Sequence, residues 1–135
     1  MVDETKYIKR FGLDPDISVL INKYSCFFHG KGIPIPGKLY IFSDCVCFSS
    51  TFNPKTLLGS KTKIKILIKD IVFCEFLPKS FGTGIALTSS TEEDGGSTHQ
   101  FNNLGDNGKM ANFLIQEFME GYLNRVKQRK DIDNT

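Results

Sequence analysis

The stretch Lys61-Thr62-Lys63-Ile64-Lys65-Ile66-Leu67-Ile68-Lys69 decides the fold. In an extended chain successive side chains point to opposite faces, so Ile64, Ile66 and Ile68 share one face while Lys63, Lys65 and Lys69 share the other. Such a segment is a strand with one dry face and one wet face. The same period of two recurs on both sides of it. Upstream it marks Val19–Phe28, Lys38–Phe42 and Cys45–Ser50; downstream it marks Ile71–Leu77, Gly84–Ser89 and Ser97–Asn102. With Thr62–Ile68 this makes seven candidate strands, separated by breaks rich in Gly, Pro, Asn and Ser. Only Ser43-Asp44 stands between Phe42 and Cys45, which reads as a tight antiparallel turn. Glu92-Glu93-Asp94-Gly95-Gly96 reads as a mobile hairpin loop.

After Asn107 the period changes. Met110, Phe113, Leu114, Phe118, Tyr122 and Val126 fall at helical spacing, and Asp106 or Asn107 can cap the helix they define. Ile115, Met119 and Leu123 widen its apolar stripe, so the helix is expected to run to about Val126 and lie over an open end or edge of the β-structure. The fold class is therefore mainly β: a bent seven-stranded antiparallel sandwich or partly open barrel, capped by one C-terminal α-helix. A length of 135 residues suits one domain. Residues 1–10 are expected to form a flexible N-terminal segment, 11–127 the domain, and 128–135 a polar C-terminal tail.

Five blocks of this sequence resemble, in order and spacing, the signature of GRAM domains. They are Lys23-Tyr24-Ser25-Cys26-Phe27-Phe28, Gly37-Lys38-Leu39-Tyr40-Ile41, Val46-Cys47-Phe48-Ser49-Ser50, Thr62-Lys63-Ile64-Lys65-Ile66 and Lys69-Asp70-Ile71. Phe11-Gly12-Leu13-Asp14-Pro15 is similar to the phenylalanine-led entry that precedes them. The resemblance covers about Phe11 to Phe118. It implies a pleckstrin-homology-like (PH-like) fold and attachment to intracellular membranes through anionic lipids, phosphoinositides or phosphatidylserine, as one module of a larger protein. The connection Asn53–Ser60 is longer than is usual in that family.

Chemistry of other kinds finds little support. The two histidines, His29 and His99, lie in no nucleophile constellation, and no phosphate-cradling glycine motif precedes a helix. Both imidazoles are expected to be exposed. Asp14 and Asp16 flank a proline and suit a turn better than acid-base work. Cys26, Cys45, Cys47 and Cys74 show no metal-ligand spacing and are expected as buried free thiols. No enzyme, cofactor or metal is expected. No apolar run approaches the ~20 residues that cross a bilayer, and Met1–Arg10 lacks a secretory apolar region, so the expected location is cytoplasmic, peripheral on membranes.

What remains is charge, which the formal net of +2 conceals. Residues 21–70 carry eight lysines against Asp44 and Asp70, a net of +6, whereas residues 71–120 carry a net of −5. Such polarisation gives a one-sided field. In PH-like folds head groups sit at the mouth formed by the loops after strands one and three, so Lys31, Lys38, Lys55, Lys61 and Lys63 are the candidate lipid-binding residues. Ile33, Ile35, Phe52, Leu57 and Leu58 are the candidates for shallow insertion into a membrane interface. The expected partners are anionic membrane lipids. An alternative is a protein-interaction module of the same fold, using the helix face or a strand edge to hold a protein partner or the remainder of a larger protein. Nucleic acid is not expected, since the RNP-type and OB-type signatures are missing.

Overall fold

The computed structural model describes residues 4–29, 33–51, 62–90 and 96–133. The elements in chain order are α1 (Glu4–Arg10), β1 (Leu20–His29), β2 (Pro34–Phe42), β3 (Cys45–Ser50), β4 (Lys63–Leu67), a single 3-10 turn (Ile68–Asp70), β5 (Ile71–Leu77), β6 (Gly84–Ser89), β7 (Ser97–Asn102) and α2 (Asn107–Asp133). Seven strands pair antiparallel in the order β4-β3-β2-β1-β7-β6-β5. β1 turns the corner: it pairs along its whole length with β2, and only its last residues, Phe27 to His29, pair with β7. The sheet therefore folds over itself without closing, because β4 and β5 are joined by the 3-10 turn and do not pair.

The main core fills the fold. Leu39, Ile41, Val46, Phe48 and Ile66 meet Ile85, Leu87 and Phe101 across it, and α2 plugs the open side with Ala111 and Ile115. Leu114, Phe118, Met119 and Tyr122 also turn inward, whereas Met110, Phe113 and Leu123 stay exposed. The stripe used by α2 is thus narrower than its apolar content. Asn112 and Gln116 fasten it to β5: Cys74 Sγ donates to Asn112 Oδ1 at 3.0 Å, and Gln116 Nε2 donates to the Cys74 carbonyl at 3.2 Å.

β2 begins at Pro34, four residues before the expected start. Two prolines inside a central strand look prohibited, since neither donates to a ladder. The register resolves this: the β2–β3 ladder stops at Gly37↔Ser50, and beyond it Pro36 serves only as an acceptor, its carbonyl taking the Thr51 amide at 3.0 Å. At Gly37 the strands come so close that a Cβ would overlap the Ser49 carbonyl oxygen and lie 2.6 Å from Phe48 Cζ.

Two terminal expectations need correction. Residues 1–10 were expected to be flexible, yet Glu4–Arg10 form α1. Seven residues make no stable helix alone, so its support is tertiary. Gly12 at φ +63° ends it in a Schellman closure, with Leu13 N bonding the Ile8 carbonyl at 2.9 Å and Gly12 N the Lys9 carbonyl at 3.2 Å. Ile8 and Phe11 then bury against Tyr40, Phe42, Cys45 and Cys47 on the outer face of β2–β3, forming a second apolar cluster. At the other end α2 passes the expected stop near Val126 and runs to Asp133, because Arg125–Lys130 are good helix formers with no Gly or Pro among them.

All four cysteines are buried and free, as expected. Burial pushes the Cys26 and Cys74 thiols up to about 12, which keeps them protonated and inert. The hydrogen bond shared with the neighbouring Cys45 thiol, then burial, raises Cys47 as well. The Asp14 carboxylate accepts the Asp16 amide at 2.9 Å, the expected turn. His99 differs from expectation: it stacks on Phe28 at 6.0 Å, its Nδ1 meets no partner among the described residues, and burial lowers its pKa.

Candidate anion-binding face

β1–β4 contain no Asp or Glu. Their inner side chains are apolar and belong to the main core, so every charge they carry is a lysine on the outer face. The register sets these in two rows. In one, Lys23, Tyr40, Cys47 and Lys65 lie side by side across β1 to β4; in the next, Ser25, Lys38, Ser49 and Lys63 do. β5–β7 carry one charged side chain, Glu75. The lysines of the sheet therefore all lie in β1–β4, while most acidic residues of the later segment lie outside the strands.

α1 lies over this face and adds Lys6 and Arg10. Between its polar side and the ends of β2 and β3 opens a cleft of about 200 Å³, lined by Lys6, Tyr7, Arg10 and Lys38 above and by Tyr40, Ser49, Ser50 and Thr51 below. No carboxylate lines it among the described residues. Arg10 Nη1 donates to the Tyr40 hydroxyl at 3.3 Å, and its guanidinium stands 5.5 Å from the centre of the Tyr7 ring. Lys23 Nζ donates to the Tyr7 hydroxyl at 3.1 Å. That hydrogen bond lowers the Tyr7 pKa against a smaller opposing effect of burial, and Lys23, Lys6 and Lys38 pull it in the same direction through space. A phenol that ionises more readily than usual reports the sign of the local potential: positive.

The side chains around the cleft are not equally committed. Lys65 Nζ caps the Phe11 carbonyl at 3.5 Å, and Lys23 serves Tyr7. The Thr51 hydroxyl donates to the Pro36 carbonyl, while that of Ser50 accepts the Thr62 amide. Ser49 differs from these. It is 3% exposed, lines the cleft between Lys38 and Lys63, and its hydroxyl has no hydrogen-bond partner among the described residues.

Of the residues singled out from sequence, Lys38 reaches the cleft and Lys63 lies beside it, exposed. Lys31, Lys55, Lys61, Phe52, Leu57 and Leu58 fall outside the described residues. Ile33 is 42% exposed, whereas Ile35 packs against the main core, because it alternates with Pro34 and Pro36 onto the inner face. Sequence reasoning missed Lys6, Tyr7, Arg10 and Ser49. The available signal was Tyr7, Ile8 and Phe11 at helical spacing with Gly12 as stop.

A second surface feature lies on the other half of the molecule. Val72 and Phe73, exposed side by side at a bulge in the edge strand β5, form an apolar groove with Met119 and Leu123 of α2. Among the described residues no cluster of side chains is arranged to hold a metal ion, and no helix is long and apolar enough to cross a membrane.

A bent antiparallel sheet plugged by a C-terminal helix, with lysines across the outer face of β1–β4, defines a PH-like domain. Solved structures agree on the fold. The Vps36 N-terminal PH domain superposes with a TM-score of 0.62 at 11% identity, covering 83% of this chain and 86% of that one. The hSac2 domain from human phosphoinositide phosphatase Sac2 does so with a TM-score of 0.63 at 11% identity, covering 88% and 79%. The GRAM domain pattern matches residues 7–120, and the chain belongs to the GRAM domain family. A sterol 3-beta-glucosyltransferase from Komagataella phaffii (strain GS115) is 39% identical over 70 residues, which are 52% of this chain and 5% of that protein. GRAM and PH-like domains are generally non-catalytic modules that bind lipids or proteins.

Proposed function

We propose that this domain holds its protein to anionic phospholipid on the cytoplasmic side of intracellular membranes. The observation that supports the reading is the outer face of β1–β4, whose charged side chains are all lysines, where Lys38 and Lys63 flank Ser49 and no acidic residue interrupts the strands. Each lysine held near an anionic leaflet contributes about 1 kcal/mol, so a handful suffices for recruitment. Lys31, Lys55 and Lys61, outside the described residues, add positive charge to the same stretch of sequence, and the exposed Ile33 offers an apolar contact.

Co-sedimentation with vesicles of phosphatidylcholine, alone or mixed with phosphatidylserine or a phosphoinositide, tests this directly. Binding is expected only to the anionic mixtures and weakens as salt rises. Equal partition to neutral and anionic vesicles, or none to either, defeats the proposal. The groove between β5 and α2 favours a second reading, a protein-interaction module in which an extended peptide adds to the free β5 edge. A stable complex lost on Phe73→Glu, in a protein indifferent to lipid, identifies that case.

A further inference from the structure

α2 is longer than its task as a plug requires. Tyr122 is its last apolar residue packed against the main core, yet the helix runs on to Asp133. Of the described residues from Leu123 onward, only Val126 is not exposed. Where this extension begins, Leu123 joins Met119, Val72 and Phe73 in the groove beside β5, and Val72, Phe73 and Leu123 are each more than half exposed. The charges of α2 are set in blocks. Glu117 and Glu120 stand in its middle, followed by Arg125, Lys127, Arg129 and Lys130, ahead of Asp131 and Asp133. Opposite charges support a single helix at separations of three or four residues. Glu117 and Glu120 have none there: the residues at those separations are Phe113, Leu114, Gln116, Gly121, Leu123, Asn124 and each other. An acidic block followed by a basic one is instead complementary to its own reverse. The strand beside the groove adds to the acidic side, since Glu75 is its one charged residue.

We infer that the groove between β5 and α2 is filled by α2 of a second copy of this chain, the two helices running antiparallel about a two-fold axis at Leu123. Helical spacing carries the flank that lines the groove, Gln116, Met119, Glu120 and Leu123, on to Lys127 and Lys130. Antiparallel pairing at this register sets Leu123 against the partner's Leu123, Met119 against the partner's Val126, and Glu120 against the partner's Lys127. Glu117 then lies near the partner's Lys130. A two-fold axis repeats each of these contacts once more with the roles exchanged. Charge selects the register: centring the axis a turn earlier sets Glu120 against itself, and a turn later Lys127 against itself, whereas Leu123 pairs opposite signs. The aliphatic stems of the partner's Lys127 and Lys130 lie over Val72 and Phe73 and cover them. Few apolar side chains meet in each copy, so the dimer belongs with weak interfaces that assemble in the micromolar range or above. The inference names an occupant for the groove and does not rest on lipid binding, which the lysine-bearing half of the sheet carries.

The test is analytical ultracentrifugation of the full 135-residue chain without lipid, from low-micromolar to near-millimolar concentration, so that failure of the lipid reading cannot pass for failure of this one. The wild type is expected to pass from monomer to dimer as concentration rises. Leu123→Glu, at an exposed position, should leave the circular dichroism spectrum and thermal midpoint in place and abolish the dimer. Glu120→Lys and Lys127→Glu should each weaken it roughly tenfold or more, because each turns two attractive contacts repulsive. An equimolar mixture of these two variants should regain wild-type association within a few-fold, since both contacts in the mixed dimer are again of opposite sign. A wild type that stays monomeric throughout refutes the inference, and so does a monomer whose groove takes an extended peptide. A dimer untouched by Leu123→Glu lies on another surface and refutes it equally. If the mixture associates no better than either variant alone, the antiparallel register about Leu123 is wrong.

Discussion

Replacing Phe11 with alanine should open the cleft face while leaving the main core closed. Phe11 is 7% exposed, and its ring lies 5.4 Å from that of Tyr40 and 6.3 Å from that of Phe42. Truncating a buried phenylalanine costs about 3–5 kcal/mol, of which each lost aromatic pair accounts for about 0.5–1.5 kcal/mol. The main core can escape most of that loss, because the cluster around Phe11 is separate from it and α1 can simply undock. The penalty is then limited to the docking free energy of α1, and the expected signature is local. Cys45 and Cys47 are fully buried in the cluster with Phe11, whereas Cys26 and Cys74 belong to the main core. Alkylation followed by mass spectrometry across a urea series should therefore find Cys45 and Cys47 labelled at lower urea than Cys26 and Cys74 in Phe11→Ala. The wild type should protect all four to a higher and more nearly common urea concentration. Should all four thiols become reactive together in the variant, the two clusters are one cooperative unit and this reasoning fails. Unchanged protection of Cys45 and Cys47 would show that α1 does not depend on Phe11.

Reversing Lys38 and Lys63 to glutamate changes the charge near an anionic leaflet by two at each position, about 2 kcal/mol or roughly 30-fold in affinity per residue, measurable by vesicle sedimentation at low salt. Affinity unchanged within a factor of two would remove these lysines from the interface. Gly37→Ala forces a methyl group against the Ser49 carbonyl and the Phe48 ring and should destabilise by about 1–3 kcal/mol, read as a lower urea midpoint; an unaltered midpoint refutes the close approach. Burial lowers the His99 pKa, so the unfolded chain takes up that proton first as pH falls. Stability should therefore decline below about pH 6.5, and His99→Gln should flatten the decline. An unchanged slope would assign it to other groups.

The strands were legible because their signal is local. A buried face with period two leaves its mark whatever it packs against, and the bounds of β3, β5, β6 and β7 follow from it directly. Three features lie beyond that signal. Pro34 and Pro36 join β2 only because β3 ends opposite Gly37, a fact of register. α1 stands only through Ile8 and Phe11 meeting Tyr40 and Phe42, which are some 30 residues distant in the chain. His99 shares the inward face of β7 with Phe101, two residues on, but its polar ring does not mark it as core-facing, and it lies against Phe28. The candidate site divides in the same way. Lys38 and Lys63 could be found from alternation alone, whereas bringing Lys6 and Arg10 to the same cleft as Ser49 requires α1 to be folded and docked.

The separation of the two apolar clusters bears on how the face works. The main core holds the two halves of the sheet and α2 together, and its interior residues include none of the cations of the cleft. The second cluster contributes little to joining those halves, since its buried members all come from α1, its closing turn, β2 and β3. Its consequence is to place Lys6 and Arg10 over Lys38. Bringing these like charges together is unfavourable in the unliganded protein, and the apolar contacts of Ile8 and Phe11 must offset it. An anion in the cleft removes the repulsion. Ligand and docked α1 are then mutually stabilising by linkage, and by the same factor in each direction. Amide exchange in Ile8–Leu13 should accordingly slow when vesicles containing phosphatidylserine or a phosphoinositide are present, with the main core unaffected. Slowing of equal size throughout the chain would instead mean that α1 and the core open as one, and the coupling would have no local meaning.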